Sequence, residues 1–430
     1  MKLAGAQTTQ WEGEEVTLKK LGTVLLDNDR EKRQKAWEAI QERVSQDRES
    51  YNDIWREFMA VRKTIYENAG FDNYRDYAWL NRGRFDYSPE DALTFTEAIA
   101  EVVVPANERL LEKERQLLGY DSMRPWDTAV APTGRDPIIP YDDIDEFQNQ
   151  TEAIFMQLDP ELGQQFKMMK DENLLDLANR KGKGPGGFCT YFAVTERPFI
   201  FMNAVGQAGD VRTLIHEAGH SFHAFSGRKH PYRMMASSPM EFNEVASMAM
   251  ELLAYPYLDK SKGGYLSTAE TARFRSDRLR TVLSSWAYMA MVVALQHWIY
   301  TNHDEATDPD AVDAKWLELV ARYQPSINWD GYEQFKTNRW RRQLHIFRYP
   351  FYYIEYALAR LGSVQVWANS LKDESKALEQ YRYALSLGGT VTLPELFEAS
   401  GAKLAFDAST LQDAVSLIEN TLEELATQQS

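Results

Sequence analysis

The helical spacing of apolar residues constrains the fold more than any other feature of this 430-residue chain. Residues 28–69 carry apolar side chains three and four positions apart and are followed by Gly70, which is typical of a long helix that is broken at most once. Pro105 should kink or end a second long helix. From Asp210 the same spacing continues almost to the C-terminus. The sequence therefore predicts a mainly α fold.

One segment departs from this pattern. The glycine-rich run 182–187 is followed by FCTYFAV (188–194) and FIFMNAV (199–205), which we interpret as the strands of a small hairpin. The run lacks the Gly-Lys-Ser/Thr ending of a phosphate loop and precedes a strand, so no nucleotide site is predicted. We place a boundary between a helical lobe, residues 1–175, and a lobe that contains the hairpin, residues 176–430. The two lobes are expected to act as one unit.

Composition excludes several classes of partner. The net charge of −16 would repel a nucleic-acid backbone. The longest apolar run, Trp286–Leu295, has about half the length that a bilayer span requires, and the first residues lack a signal-peptide core, so neither membrane insertion nor export is expected. Cys189 is the only cysteine, which rules out an intrachain disulfide and a thiolate metal cluster. A cytoplasmic location is therefore expected.

The segment HEAGH, His216–His220, carries the clearest chemistry. Two histidines four residues apart project from one face of a helix and can bind one metal ion, and neutral imidazole suits zinc. Glu217 projects off that axis, where its carboxylate can take a proton from a water that attacks a carbonyl. Chance alone gives this pattern in about one such chain per hundred. The segment predicts one zinc ion per chain, bound by His216 and His220.

A tetrahedral zinc ion that also binds water needs one more protein ligand. The candidates lie near one face of the following helix, and spacing alone does not choose among them: Glu241, Glu244 and Glu251. A solvated acidic face would explain Glu241, whereas Glu244 is followed by VASMAM, which looks buried. We therefore favour Glu244 as the ligand and Glu251 as a supporting carboxylate.

The segments HEAGHSFHAF and NEVASMAMELL together resemble the thimet oligopeptidase and oligoendopeptidase F family of zinc peptidases. That family has a His-Glu-x-Gly-His helix and a later helix whose Glu completes the metal site, and its Glu-x-x-Ser core falls on Glu244. GGFCTYFAVTERPFIFMN is similar to the strand pair that the family places beside its cleft, and HIFRYPFYYIEYALARLG and NYRDYAWLNRGRFDYSPEDA extend the resemblance. The resemblance implies a two-lobed helical fold with a deep substrate cleft and a catalytic lobe formed by residues 176–430.

A tyrosine-rich segment is the second candidate for substrate contact. A spacing of four, four and three would place these residues on one helix face: His345, Tyr349, Tyr353 and Tyr356. By resemblance, the expected donors to substrate are His345, Tyr353 and Tyr356. Such donors would stabilise the negative charge that develops on the carbonyl oxygen in the transition state. A plain aromatic core stripe is the alternative interpretation.

The resemblance implies a zinc-dependent oligoendopeptidase whose partners are short unstructured peptides. A zinc exopeptidase would use the same chemistry on a free peptide terminus. A peptide-binding module without catalysis would be expected to lack Glu217 or a metal ligand, and this chain keeps them. From the residues alone, the hairpin is equally a structural element or an edge that pairs with an extended peptide. The oligomeric state and the cleavage preference are left open.

Overall fold

The computed structural model describes residues 2–128, 138–180, 183–184 and 186–429. Helices dominate the described residues, and two small sheets accompany them, which confirms the mainly α fold. Residues 181, 182 and 185 of the glycine-rich region lie outside the described residues. The helices in chain order are α1 (Lys2–Gly5), α2 (Leu18–Gly22), α3 (Arg30–Gln46), α4 (Arg48–Asn68), α5 (Tyr74–Asn81), α6 (Pro89–Ala98), α7 (Val104–Leu118), α8 (Ile144–Leu158), α9 (Pro160–Asp171), α10 (Ala208–Gly227), α11 (Met240–Ala254), α12 (Thr268–Thr301), α13 (His303–Ala306), α14 (Pro309–Tyr323), α15 (Asn338–Arg342), α16 (Leu344–Arg348), α17 (Tyr353–Ser370), α18 (Glu374–Leu387), α19 (Leu393–Ala399) and α20 (Ala408–Thr427).

The chain divides into two compact units, each built from two separate segments. Unit 1 comprises Met1–Arg135 and Ser284–Ile354, and unit 2 comprises Asp136–Leu283 and Glu355–Ser430. The boundary that we predict between residues 175 and 176 lies inside unit 2. Helices α12 and α17 each begin in one unit and end in the other. The helical spacing of apolar residues therefore continues across both unit boundaries and does not mark them.

In unit 1, the predicted long helix over residues 28–69 is α3 and α4, broken once at Asp47. Pro105 does not end its helix. A π-helical turn, Ile99–Val103, joins α6 to α7 at that point. Because Pro105 has no N–H to donate to the carbonyl four residues earlier, a local shift of the backbone pairing lets the helix continue.

The first sheet, also in unit 1, is a short hairpin that the sequence reading did not predict. Strand β1 (Thr8–Trp11) pairs antiparallel with β2 (Glu14–Thr17). The turn residues Glu12 and Gly13 both have positive φ, at 50° and 84°. This combination is typical of a two-residue hairpin turn.

The second sheet belongs to unit 2 and has the strand order β3-β5-β4. Strands β4 (Phe188–Phe192) and β5 (Arg197–Ala204) form the predicted antiparallel hairpin, and β3 (Leu175–Ala178) adds in parallel to β5. The described part of the glycine-rich run is tied to this sheet. Lys183 Nζ donates to the Ala178 carbonyl at 2.9 Å, and Asn203 Nδ2 donates to the Gly184 carbonyl at 2.8 Å. The sheet leaves β4 as an edge strand.

One helix among the described residues, α12, is long and apolar enough to cross a bilayer by length and composition. Within its most apolar window, 72% of the residues are buried inside the protein. Core helices of globular proteins have the same property, so this helix is weak evidence for a membrane span.

Candidate metal centre

Close packing of α10 against α11 builds the centre. A Cβ placed on Gly219 would lie 2.7 Å from the Ser247 Cα and 2.9 Å from the Ala246 carbonyl oxygen, closer than real Cβ contacts. Glycine at this position of HEAGH therefore allows the two helix backbones to approach. The approach brings Glu244, on α11, opposite the histidines of α10.

The structure brings His216, His220 and Glu244 together, with one potential ligand atom from each lying within 4.8 Å of the others. His216 Nε2 is 3.7 Å from Glu244 Oε2, and the two imidazole centroids are 5.0 Å apart with their planes at 87°. Ligand atoms of a tetrahedral zinc site lie about 3.4 Å apart. Two imidazole nitrogens and a carboxylate oxygen can converge on one zinc ion from this spacing if the ligand atoms move together by at most about 1.4 Å.

The other ring nitrogen of His216, Nδ1, contacts a buried carboxylate. His216 Nδ1 lies 2.7 Å from Glu251 Oε1, while Glu251 Oε2 accepts from Tyr255 at 2.8 Å and pairs with Arg278 at 2.6 Å. Burial would raise the pKa of Glu251, but the charge of Arg278 and the bond to His216 hold it well below its usual range. Glu251 therefore stays ionised and accepts the proton that His216 carries on Nδ1, so Nε2 is the nitrogen that can bind a metal once it is unprotonated.

Glu217 is 7% exposed and lies on α10 between the two histidines in sequence. Burial raises its pKa to about 6, although the charge of His216 acts in the opposite direction. The backbone of Cys189 on β4 also lowers this pKa. The edge strand of the sheet thus lies beside the carboxylate that we predict to accept a proton.

The structure separates the three acidic candidates. Glu241 is buried, at 3% exposure, but does not belong to the metal-compatible cluster. Glu251 binds the outer nitrogen of His216, and Glu244 alone joins the cluster. Arg278 and Tyr255, which hold Glu251, were not predicted, because neither has a spacing signal that links it to HEAGH.

The tyrosine-rich segment does not form the single helix face that the spacing would require. Tyr349 leaves the helix with φ −132°, Pro350 follows, and Phe351 has φ +63°, so α16 ends before α17 begins. A proline cannot supply the backbone donor that a continuous helix needs. The shared-face prediction for His345, Tyr349, Tyr353 and Tyr356 is therefore wrong. His345, Tyr349 and Tyr353 belong to unit 1, whereas Tyr356 belongs to unit 2 with the metal cluster.

Within unit 1, Gln343 connects two of the predicted donors. Its Nε2 donates to the Tyr353 hydroxyl at 2.7 Å, and its Oε1 accepts from the His345 backbone N–H at 3.3 Å and lies 3.0 Å from His345 Nδ1. An amide oxygen only accepts, so neutral His345 carries its proton on Nδ1 and its Nε2 is an acceptor. Burial lowers the pKa of His345, which favours this neutral form. A donor role for His345 Nε2 would therefore require protonation.

A helical frame that presents two histidines and a glutamate to one point defines a protein able to bind a single transition metal ion. The chain belongs to peptidase family M3, whose model matches residues 23–415. It is 24% identical over 289 residues to an oligoendopeptidase F homologue of Borreliella burgdorferi, a match that covers 65% of this chain and 47% of the relative. It is also 24% identical over 277 residues to the oligopeptidase PepF of Bacillus subtilis, covering 61% of this chain and 39% of that protein.

A solved structure supports the same fold. PZ peptidase A, determined with an inhibitor, superposes with a TM-score of 0.89 at 29% identity, over 100% of this chain and 75% of that chain. The chain thus spans less than half the length of these two curated relatives and three quarters of this solved neighbour.

Proposed function

We propose that this chain carries the active site of a zinc-dependent oligoendopeptidase that hydrolyses short, unstructured peptides. The observation that carries the proposal is the convergence of His216, His220 and Glu244, with the Glu217 carboxyl group beside them on α10. Membership of peptidase family M3 and the names of the relatives support it.

His216, His220 and Glu244 would hold the zinc ion. Zinc, when bound, acts as a Lewis acid toward water and toward the scissile carbonyl. Glu217 accepts the proton of the attacking water and can then deliver it to the leaving amine. Burial raises the pKa of this carboxyl group above its ordinary value, which favours a group that both accepts and returns a proton.

The edge strand β4 supplies a place for an extended peptide. The Cys189 backbone lowers the pKa of Glu217, so this edge strand runs beside the carboxyl group while it pairs with β5 along its other side. An extended peptide paired with such an edge is recognised through its main chain, which tolerates many side-chain sequences. This mode suits an enzyme for varied short peptides.

The experiment uses an internally quenched peptide with both termini blocked and the zinc-loaded protein. Cleavage of this peptide is expected, and Glu217→Gln should retain zinc while its rate falls by several orders of magnitude, on the order of 10³ or more. Metal content is measured in both proteins by plasma mass spectrometry. Cleavage restricted to peptides with a free end would favour the exopeptidase alternative. Peptide binding without cleavage by the zinc-loaded protein would favour the non-catalytic module.

A further inference from the structure

Unit 1 contains a small cavity of about 160 Å³ whose wall carries two arginines. The remaining wall is polar but contains no carboxylate. A water molecule occupies about 30 Å³ in the liquid, and whole-ligand pockets measure about 300–1,000 Å³. The cavity therefore has the size for one functional group of a larger ligand. Its lining residues are Gln41, Tyr288, Asn338, Arg339, Arg342 and Gln343.

Arg339 and Arg342 are three positions apart on α15, so they share a face of that helix. Arg339 Nη1 donates to the neutral Gln324 amide at 2.5 Å, and its guanidinium lies over the Tyr288 ring at 4.9 Å. Among the described residues, neither arginine forms an ion pair with an Asp or Glu. The chain has 64 acidic residues against 48 basic ones, so most arginines can find a carboxylate partner within the protein. Two neighbouring arginines without such a partner are therefore expected to bind an anion from outside the chain.

Arg341 lies between these two arginines on the same helix and, unlike them, is buried and paired with a carboxylate. It is 2% exposed, with Nη1 2.6 Å from Asp313 Oδ1 and Nε 2.9 Å from Asn52 Oδ1. Arg342, by contrast, is exposed, and Arg339 is partly exposed. The surrounding protein nevertheless lowers the pKa of both Arg339 and Arg342, as expected for side chains that line a concave wall.

The cavity is connected to the predicted substrate-binding residues through Gln343. This residue lines the cavity and donates to the Tyr288 hydroxyl at 2.9 Å and to the Tyr353 hydroxyl at 2.7 Å. Its amide oxygen also lies 3.0 Å from His345 Nδ1. A group bound in the cavity would thus share a hydrogen-bonded neighbour with His345 and Tyr353.

We propose that Arg339 and Arg342 form a carboxylate-binding subsite for a peptide substrate. Guanidinium groups bind carboxylates through paired, charge-assisted hydrogen bonds. The carboxylate can be the C-terminal group of the peptide or the side chain of an Asp or Glu. This inference rests on the proposed peptidase function and adds a preference for anionic peptides.

The test compares three forms of one quenched peptide: a neutral form with an amidated C-terminus, the same peptide with a free C-terminus, and amidated forms with Glu at each position in turn. The intact protein should prefer one carboxylate form by about 10- to 100-fold in kcat/KM, the range expected for charge-assisted bonds. The preferred form distinguishes the α-carboxylate from a side chain. Arg342→Gln and Arg339→Gln should each reduce the ratio of carboxylate to neutral peptide toward one.

Lys35→Gln is the matched control, because it removes one exposed positive charge from unit 1 outside the cavity and should keep the ratio. The same ratio is measured for binding of labelled peptides to Glu217→Gln, by fluorescence anisotropy. If no peptide is cleaved but this binding preference is present and is lost on Arg342→Gln, the peptidase proposal fails and the subsite stands. A ratio near one in the parent protein, or a ratio that both arginine variants leave unchanged, overturns the subsite.

Discussion

His216 Nδ1 and Glu251 Oε1 lie 2.7 Å apart, and this contact orients the imidazole so that its other nitrogen faces Glu244 at 3.7 Å. Glu251 is 1% exposed and is itself held by Arg278 and Tyr255. Such outer partners fix the tautomer and the direction of a histidine ligand.

Glu251→Gln should therefore weaken zinc binding by about 10- to 100-fold without removing a ligand. The amide keeps the shape but leaves Arg278 buried without its counter-charge, and breaking a buried pair this way costs about 3–5 kcal/mol of unfolding free energy. Zinc affinity is measured by competition with a chelator, and stability by urea unfolding of the metal-free protein. Unchanged affinity in a folded variant would show that Glu251 does not orient His216.

The ligand assignment is tested by Glu244→Gln beside Glu241→Gln. Both carboxylates are buried, on the same helix, so the two changes are matched in chemistry and setting. Only Glu244 belongs to the metal-compatible cluster, so only its substitution should lower zinc content and activity together. Metal analysis after dialysis decides the matter. Equal zinc content in the two variants contradicts the assignment, and a larger loss at Glu241 reverses it.

Gly219→Ala should separate α10 from α11 and reduce both stability and zinc affinity. The added methyl group would meet backbone atoms of Ser247 and Ala246 at 2.7 and 2.9 Å, and overpacking of this kind costs about 1–3 kcal/mol. Gly209→Ala is the control on the same helix, because a Cβ there has no neighbour within 4 Å among the described residues. The control should be neutral or slightly stabilising. Thermal melts with and without zinc distinguish them, and equal behaviour would show that the close approach is dispensable.

His297 should make unit 1 sensitive to acid. It is 3% exposed, both ring nitrogens lack a hydrogen-bond partner among the described residues, and burial lowers its pKa to about 3. The unfolded state takes up a proton below about pH 6.5 and the folded state does not, so stability falls as the pH drops from 6.5 toward 3. At pH 5 this linkage amounts to about 2 kcal/mol.

His297→Phe removes that linkage and preserves the edge contacts with Trp79 and Phe351. Its stability relative to the parent should therefore be greater at pH 5 than at pH 8, as measured by urea unfolding at both values. An equal difference at the two pH values would mean that His297 does not titrate in this way.

Local spacing predicted the parts of the site that lie on one or two helices. The HEAGH spacing predicted the two histidine ligands and the role of Glu217. The apolar residues that follow Glu244 favoured that carboxylate as the third ligand. Spacing could not predict Arg278, which reaches Glu251 from a helix later in the chain. The same limit applies to β3, a four-residue strand whose partner β5 lies about twenty residues later, beyond any local pattern.

The shared-face prediction for the tyrosine-rich segment was wrong for a different reason. Pro350 indicates that the helix does not continue, and this local signal outweighs the helical spacing of the aromatic residues. Phe351, with φ +63°, then reverses the chain in a conformation that a bulky side chain rarely adopts. Gln296 accepts the Phe351 N–H at 3.0 Å and donates to the His345 carbonyl at 3.1 Å, and these tertiary bonds compensate for the local strain.

Tyr356→Phe tests the donor that we expect to act on the developing oxyanion. Tyr356 is half-buried on α17 and belongs to the unit that contains the metal cluster, whereas neutral His345 presents an acceptor at Nε2. Loss of one such donor typically lowers kcat by about 10²–10³. KM and zinc content should change little, because the hydroxyl stabilises the transition state more than the bound peptide.

Tyr383→Phe serves as the control for that loss, since its ring is 58% exposed and in the same unit. It should leave kcat and KM within about twofold of the parent, as surface changes usually do. If Tyr356→Phe instead raises KM with kcat intact, the hydroxyl binds substrate and transition state equally. If neither parameter moves, Tyr356 is a packing residue, and the aromatic-core interpretation applies to it.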